Sequence, residues 1–235
     1  SAPPPAGTNR KDHTWLALSD ESRLADALVH QLRLAGSRVI EVVPGRQFEA
    51  LGPFRYAVNP SSRSDFDGLA RALGMHRTLP NSVAHLWGLS SRGRSTDVGL
   101  RRSWNALDTY DEGLAKHYFS LIWLAQALAG EVSSLRLFAV SSRLQSVPGD
   151  EEAHPEKATL LGPCKVIPRE YPHVSCTSID VGWPGTPEQE AVLAGQLARE
   201  LGGDRLDSEV ALRGTDRWVR RFDHVRLEQV AERPW

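Results

Sequence analysis

The sequence lacks an excess of charge of either sign, and this absence excludes a large class of function. It contains 28 basic and 29 acidic residues, which give a formal net charge of -1. A chain with this balance does not have the strongly basic surface that is typical of nucleic-acid binding. No apolar run approaches the roughly 20 residues that a membrane-spanning helix needs. We therefore expect the chain to act on neither a nucleic acid nor a membrane.

Cysteine and methionine are also scarce. The two cysteines, Cys164 and Cys176, are too few for a disulfide framework, so a reducing cytoplasm is the expected compartment. They lie near His173, but the spacing matches no common zinc site and a fourth ligand is missing, so we interpret both as buried thiols. The only methionine is Met75 and the chain opens with Ser-Ala-Pro-Pro-Pro, so we expect a piece of a longer polypeptide.

Short apolar runs alternate with amphipathic segments along most of the chain. Residues 1–13 are rich in proline and polar side chains and are predicted to be a linker. A buried strand follows at Thr14–Leu18, then a helix capped by Ser19-Asp20 and ended by Gly36, then a strand from Arg38. This β-α-β unit favours parallel strands.

The same alternation predicts the remaining elements. Further strands are expected at 55–58, 82–87, 135–140 and 174–181, and helices at 64–73, 108–129, 156–167 (broken at Gly162-Pro163) and 187–201. The segment 89–102 is predicted to be a polar loop, and 209–213 with 217–222 a C-terminal hairpin. The fold class is therefore α/β, with a mostly parallel sheet and helices on both faces.

The first strand-helix turn has no glycine. A dinucleotide-binding turn needs glycines there so that the pyrophosphate can approach main-chain N–H groups, whereas this chain has Asp20 and Glu21. No tyrosine is followed four residues later by lysine or asparagine, as short-chain dehydrogenase chemistry requires. The Gly-x-Ser-x-Gly elbow and the phosphate-binding loop are absent as well. The sequence predicts no cofactor, metal or catalytic site of these kinds.

Histidines and arginines leave one alternative open. His85 lies in a predicted strand and His117 on the long helix, and both are interpreted as structural. The arginines of the polar loop are interpreted as solvated. The alternative is a self-standing small-molecule enzyme with a site around His85, Arg101 and His117.

The long helix carries more apolar surface than one sheet covers. Its stripe is widened by aromatic side chains, and this pattern indicates either deep burial or contact with a partner. The candidate partner interface consists of Tyr118, Leu121, Ile122, Trp123, Ala125 and Leu128.

Several segments resemble the ketoreductase region of modular polyketide synthases. They are Leu161-Gly162-Pro163-Cys164-Lys165-Val166-Ile167-Pro168-Arg169-Glu170-Tyr171-Pro172, Cys176-Thr177-Ser178-Ile179-Asp180, Val83-Ala84-His85-Leu86-Trp87, Gly149-Asp150-Glu151, Pro155-Glu156-Lys157-Ala158, Arg213-Gly214 and Arg217-Trp218-Val219-Arg220-Arg221-Phe222. Their order and spacing hold across most of residues 14–230.

The resemblance implies that residues 14–230 are a ketoreductase structural subdomain, a truncated Rossmann-like fold without a cofactor. In that family a second, catalytic half carries the glycine-rich turn and reduces a β-keto group on an acyl carrier protein with NADPH. Residues 231–235 would then begin the linker to that half. The implied partners are the catalytic subdomain and neighbouring synthase domains. A second alternative is a spacer in a module whose catalytic half is inactive or displaced.

Overall fold

A single mixed sheet of nine strands forms the centre of the molecule. A computed structural model of the chain describes residues 13–20, 22–89, 113–147, 149, 151, 153–204 and 207–225. The strands are β1 (Thr14–Leu18), β2 (Arg38–Pro44), β3 (Glu49–Gly52), β4 (Arg55–Val58), β5 (Ser82–Gly88), β6 (Leu135–Ser142), β7 (Val174–Val181), β8 (Glu209–Arg213) and β9 (Asp216–Val219). Their order in the sheet is β3-β4-β2-β1-β5-β6-β7-β8-β9.

The strands are parallel except at the two edges. β1 pairs in parallel with both β2 and β5, and the parallel ladder continues through β6, β7 and β8. The edge strands β3 and β9 are antiparallel to β4 and β8. The central strands β1 and β5 are buried along their whole length because both of their faces are covered.

Helices cover both faces of the sheet. They are α1 (Arg23–Leu34), α2 (Arg63–Met75), α3 (Ser120–Ala129), α4 (Leu161–Glu170) and α5 (Pro187–Gly202). One apolar core lies between the sheet and α2, α3 and α4, and the other lies between the sheet and α1 and α5. The predicted fold class, including the C-terminal hairpin, is confirmed.

Two local predictions were wrong, and one strand was not predicted. α1 is capped by Ser22, whose hydroxyl accepts from the N–H of Ala25, and not by Ser19-Asp20. The helix does not break at Gly162-Pro163, because Pro163 lies in the first turn of α4, where its missing N–H has no helical partner. β3 was not predicted because three of its four side chains are exposed, so its sequence does not alternate between apolar and polar residues.

The long predicted helix has a different local form. Within its described part, a π-helical turn covers Ala115–Phe119 and leads directly into α3. A 3₁₀-helix at Pro155–Leu160 precedes α4 in the same way. Residues 1–12, most of the predicted polar loop, residues 108–112 and residues 226–235 lie outside the described residues. Within the described part of the chain, no helix is long and apolar enough to cross a membrane.

Candidate functional site

Ligands of open α/β sheets bind at the carboxyl ends of the parallel strands, so that edge is the place to seek a site. Several polar groups of the turn after β1 are bound within the chain. Ser19 donates its N–H to the carbonyl of Val42, and its own carbonyl accepts from the indole of Trp87 at 2.9 Å. Asp20 accepts from the N–H of Ser22 at 3.1 Å. A phosphate at this turn would meet the Asp20 carboxylate, and the N–H groups of Ser22 and Ala25 are already bonded to the side chains of Asp20 and Ser22.

Among the residues that the structure describes, Lys157 is the most enclosed cation at this edge. Its side chain is 5% exposed, and its ammonium donates to the carbonyls of Gly88 and Ser142 at 3.0 and 2.9 Å and to the Ser142 hydroxyl at 3.1 Å. An ammonium group has three N–H donors, so all of them are used. Burial lowers the pKa of Lys157, and nearby Asp180 opposes this effect. Lys157 therefore ties the ends of β5 and β6 together.

Gly88 permits that close approach. A Cβ atom at this position would lie 2.6 Å from the carbonyl oxygen of Val140 and 3.1 Å from the Ser141 side chain. The pairing of β5 with β6 shifts register here, between His85 and Gly88. A side chain larger than hydrogen would push the two strands apart at the point where Lys157 joins them.

His85 and Ser120 have the spacing of a catalytic pair but not its hydrogen-bond direction. The Nε2 atom of His85 lies 2.7 Å from the Ser120 hydroxyl, which in turn donates to the carbonyl of Lys116 at 2.5 Å. A hydroxyl has one proton, so Ser120 accepts from Nε2–H of His85 and its own proton is committed to the carbonyl. His85 therefore does not act as a base toward Ser120.

Both histidines on this face are buried and neutral. Burial, and secondarily the neighbouring His117, lowers the pKa of His85 from 6.5 to about 3. Burial, followed by the charge of Lys157, lowers the pKa of His117 from 6.5 to about 4. The Nδ1 atom of His85 has no hydrogen-bond partner among the described residues. The sequence analysis named His85, Arg101 and His117 as an alternative enzymatic site. His85 and His117 lie near each other in the structure, and Arg101 lies outside the described residues.

A second polar network, which the sequence analysis missed, follows β6 and β7. Asp180 is fully buried and accepts from the N–H groups of Leu144 and Gln145 at 2.9 and 3.1 Å. Arg213 donates to Asp180 at 2.7 Å and to Glu151 at 2.6 Å. Burial raises the pKa of Asp180, and Arg213 opposes the shift. The network fixes the loop after β6 to β8. In the sequence this network is marked only by Asp180 near the end of a predicted strand. Its partner Arg213 is 33 residues away, so no local pattern links the two.

The candidate partner interface is divided between the core and the surface. Leu121, Ala125 and Leu128 are at most 1% exposed and pack in the core, so they contact no partner in this fold. The remaining members, Tyr118, Ile122 and Trp123, are partly exposed. Of the six predicted interface residues, only these three have side chains that a partner can reach.

Phe119 extends that surface. It is 40% exposed, stacks on Trp123 with ring centroids 5.3 Å apart, and contacts Tyr118 edge to face at 5.1 Å. We call Tyr118, Phe119, Ile122 and Trp123 the aromatic surface. On its inner side this surface contacts the core, where the ring of Trp123 packs on the ring of Phe66 with centroids 6.2 Å apart.

The cysteines lie where the sequence predicted. Cys164 in α4 and Cys176 in β7 are both buried and free. The Cys164 thiol is a hydrogen-bond partner of Cys176, and together with burial it raises the pKa of that group. The ring of His173 bonds instead to the carbonyl of Ala129 at 2.9 Å. Among the described residues no group of three or more histidine, cysteine or acidic side chains is placed to hold a metal ion.

Comparison with family models identifies the family of the chain. Residues 14–200 match the model described as beta-ketoacyl synthase-like, N-terminal, and the chain belongs to this family. A comparison with curated proteins finds no match.

Solved structures share the fold. A keto acid-selecting NRPS module with adenylation, ketoreductase and pseudo Asub parts matches with a TM-score of 0.79 and 21% identity over 93% of this chain. An N-terminal ketoreductase from a macrolactin assembly line matches with a TM-score of 0.68 and 16% identity over 94%. The chain spans 17% and 43% of those two proteins.

A short-chain dehydrogenase/reductase also shares the fold. A short-chain dehydrogenase/reductase from Serratia marcescens matches with a TM-score of 0.61 and 17% identity, over 86% of this chain and 96% of that one. The chain is thus Rossmann-like, and its predicted resemblance to ketoreductase structural subdomains is confirmed at the level of the fold.

Proposed function

We propose that the chain is a non-catalytic structural subdomain that supports the NADPH-dependent ketoreductase catalytic half of a polyketide synthase module. That half would reduce β-ketoacyl chains on an acyl carrier protein. The observation that carries the proposal is the state of the carboxyl edge, where Lys157, His85 and Asp180 are bound within the chain. Groups committed in this way stabilise strand ends and are not available to a substrate.

The aromatic surface supports the second part of the proposal, a partner on this face of the sheet. Aromatic side chains are enriched where proteins associate, since they bury a large apolar area with few rotatable bonds. A π-helical turn carries Tyr118 and Phe119, and such turns are frequent at functional sites. The catalytic half is the occupant we propose. We also propose a cytoplasmic setting, which two buried free thiols favour.

Co-expression tests the proposal. The catalytic half of the same synthase is produced with and without this chain, and NADPH oxidation is followed with a β-ketoacyl thioester. We expect the catalytic half to be active and soluble only when the chain is bound to it. A catalytic half that is equally active alone would contradict the supporting role, and NADPH oxidation by this chain alone would establish the self-standing enzyme instead.

A further inference from the structure

A cavity lies on the face of the sheet opposite the aromatic surface. It has a volume of about 450 Å³ and opens between α5 and the β8–β9 hairpin, at the carboxyl ends of β7 and β8. Its apolar walls are formed by Trp183, Pro184, Val192, Leu193 and Leu212. The volume lies within the range of about 300–1,000 Å³ that is usual for ligand pockets.

Two glutamine side chains line the cavity, and each has one amide atom hydrogen-bonded to the main chain. The Oε1 atom of Gln189 accepts from the N–H of Gly185 at 2.8 Å, and the Nε2 atom of Gln196 donates to the carbonyl of Gly214 at 2.7 Å. These bonds identify which atom of each amide is oxygen and which is nitrogen. The Nε2 atom of Gln189 and the Oε1 atom of Gln196 have no partner among the described residues. The cavity wall thus offers a donor group, the Nε2 of Gln189 with its two N–H bonds, and an acceptor, the Oε1 of Gln196.

The charge of the cavity disfavours an anionic ligand. Glu188 lines it, and the hydroxyl of Thr186 already accepts from the N–H of Gln189 at 3.3 Å. Hydrogen bonds from the Glu188 main chain and the Thr186 hydroxyl lower the pKa of Glu188, so this carboxylate is ionised. The start of α5 is therefore capped and negative, and a phosphate or carboxylate would be repelled.

We propose that this cavity binds a short peptide segment of a partner polypeptide, with one aliphatic side chain in the apolar part and the adjoining peptide group bonded to Gln189 and Gln196. A secondary amide has one N–H and one carbonyl, which complement the available acceptor and donor. Val192, at the mouth, is 59% exposed, so the occupant can continue as a chain into solvent. The inference does not depend on the proposed function, because the aromatic surface lies on the other face.

The test uses N-acetyl-L-leucine N-methylamide as a probe for such a segment. The probe is titrated into the ¹⁵N-labelled chain, and the side-chain amide signals of Gln189 and Gln196 and the indole signal of Trp183 are followed. We expect saturable shifts of these three signals. Saturation elsewhere, or no saturation, would overturn the proposal.

Two controls separate amide recognition from simple apolar filling. The fully N-methylated probe, which has no N–H, is expected to bind about tenfold more weakly because it leaves the Gln196 acceptor unpaired. Equal affinity of the two probes would overturn the role of the amides. Val192→Trp is expected to abolish the shifts by blocking the mouth, whereas Val166→Trp, at a similarly exposed valine of α4 on the other face, is expected to leave them unchanged. Unaltered binding by a folded Val192→Trp variant would overturn the location.

Discussion

The ammonium group of Lys157 donates to both the carbonyl and the hydroxyl of Ser142, at 2.9 and 3.1 Å. Its third hydrogen bond goes to the carbonyl of Gly88, so the ammonium group connects the carboxyl ends of β5 and β6. In an α/β sheet this edge is where a ligand normally binds. Here a buried lysine uses its donors to stabilise the sheet, and that use agrees with a supporting role.

Replacing Lys157 removes this connection. Lys157→Met leaves the buried carbonyls of Gly88 and Ser142 without their donor, so we expect a loss of about 1–3 kcal/mol in the free energy of unfolding. Urea unfolding measures it. The matched control is Lys165→Met, because Lys165 is half exposed and pairs with Glu209 at 3.0 Å, and its loss is expected to stay below about 1 kcal/mol. Equal losses in the two variants would contradict the special role of Lys157.

The buried histidines predict a stability that depends on pH. The pKa values of His85 and His117 are lowered in the folded chain from 6.5 to about 3 and about 4. The unfolded chain therefore takes up protons first, and the stability present above pH 6.5 is lost as the pH falls through this window. Each histidine contributes at most about 1.4 kcal/mol per pH unit.

Single substitutions test whether the buried histidines cause this pH dependence of stability. His117→Gln is expected to flatten the decline measured by urea unfolding between pH 6.5 and about 4. His30→Gln, at an exposed position of α1, is the control and is expected to keep the slope of the parent chain. A parent chain whose stability does not change over this interval would show that the buried histidines titrate normally.

Gly88 is expected to tolerate no side chain. In Gly88→Ala the new methyl group would meet the Val140 carbonyl at 2.6 Å, and the resulting overpacking is expected to destabilise the chain by about 1–3 kcal/mol. Gly130→Ala is the matched control, since nothing lies within 4 Å of a Cβ atom there. Thermal unfolding compares the two. Similar melting temperatures would mean that the β5–β6 contact relaxes without cost.

The aromatic surface is tested by adding charge. Phe119→Glu places a carboxylate in the proposed contact, and we expect it to weaken association with the catalytic half at least about tenfold, since an unpaired buried charge is costly. Trp123→Glu is expected to act in the same direction, but Trp123 also packs on Phe66, so its fold must be checked. Met75→Glu, at an exposed position of α2, is the control. Association unchanged by Phe119→Glu would place the partner elsewhere.

The sheet was predictable because its inner strands are short and mostly apolar and alternate with amphipathic helices. β1 and β5 are buried along their whole length, and that burial is visible in their composition. β3 was missed since an exposed edge strand has no such pattern. The α1 cap was misplaced because Ser19 and Ser22 are both suitable N-cap residues. Only the structure shows that the helix begins at Arg23, directly after Ser22.

The polar network at the carboxyl edge was not predictable. Lys157 is 69 residues from Gly88, and Arg213 is 33 residues from Asp180. No local pattern links residues so far apart, and only the parallel order of β5 to β8 brings them together. The aromatic surface was predictable in part, because the widened apolar stripe can be read from consecutive residues of one helix. Which of these residues are buried and which are exposed depends on how α3 packs on α2.

The most direct test of the central claim is a calorimetric titration of the chain with NADPH. A supporting subdomain whose first turn is capped by Asp20 and Ser22 predicts no detectable heat of binding up to about millimolar cofactor, where the binding free energy is only about 4 kcal/mol. Stoichiometric binding at micromolar concentration would contradict the account, because it would require a cofactor site elsewhere in the chain.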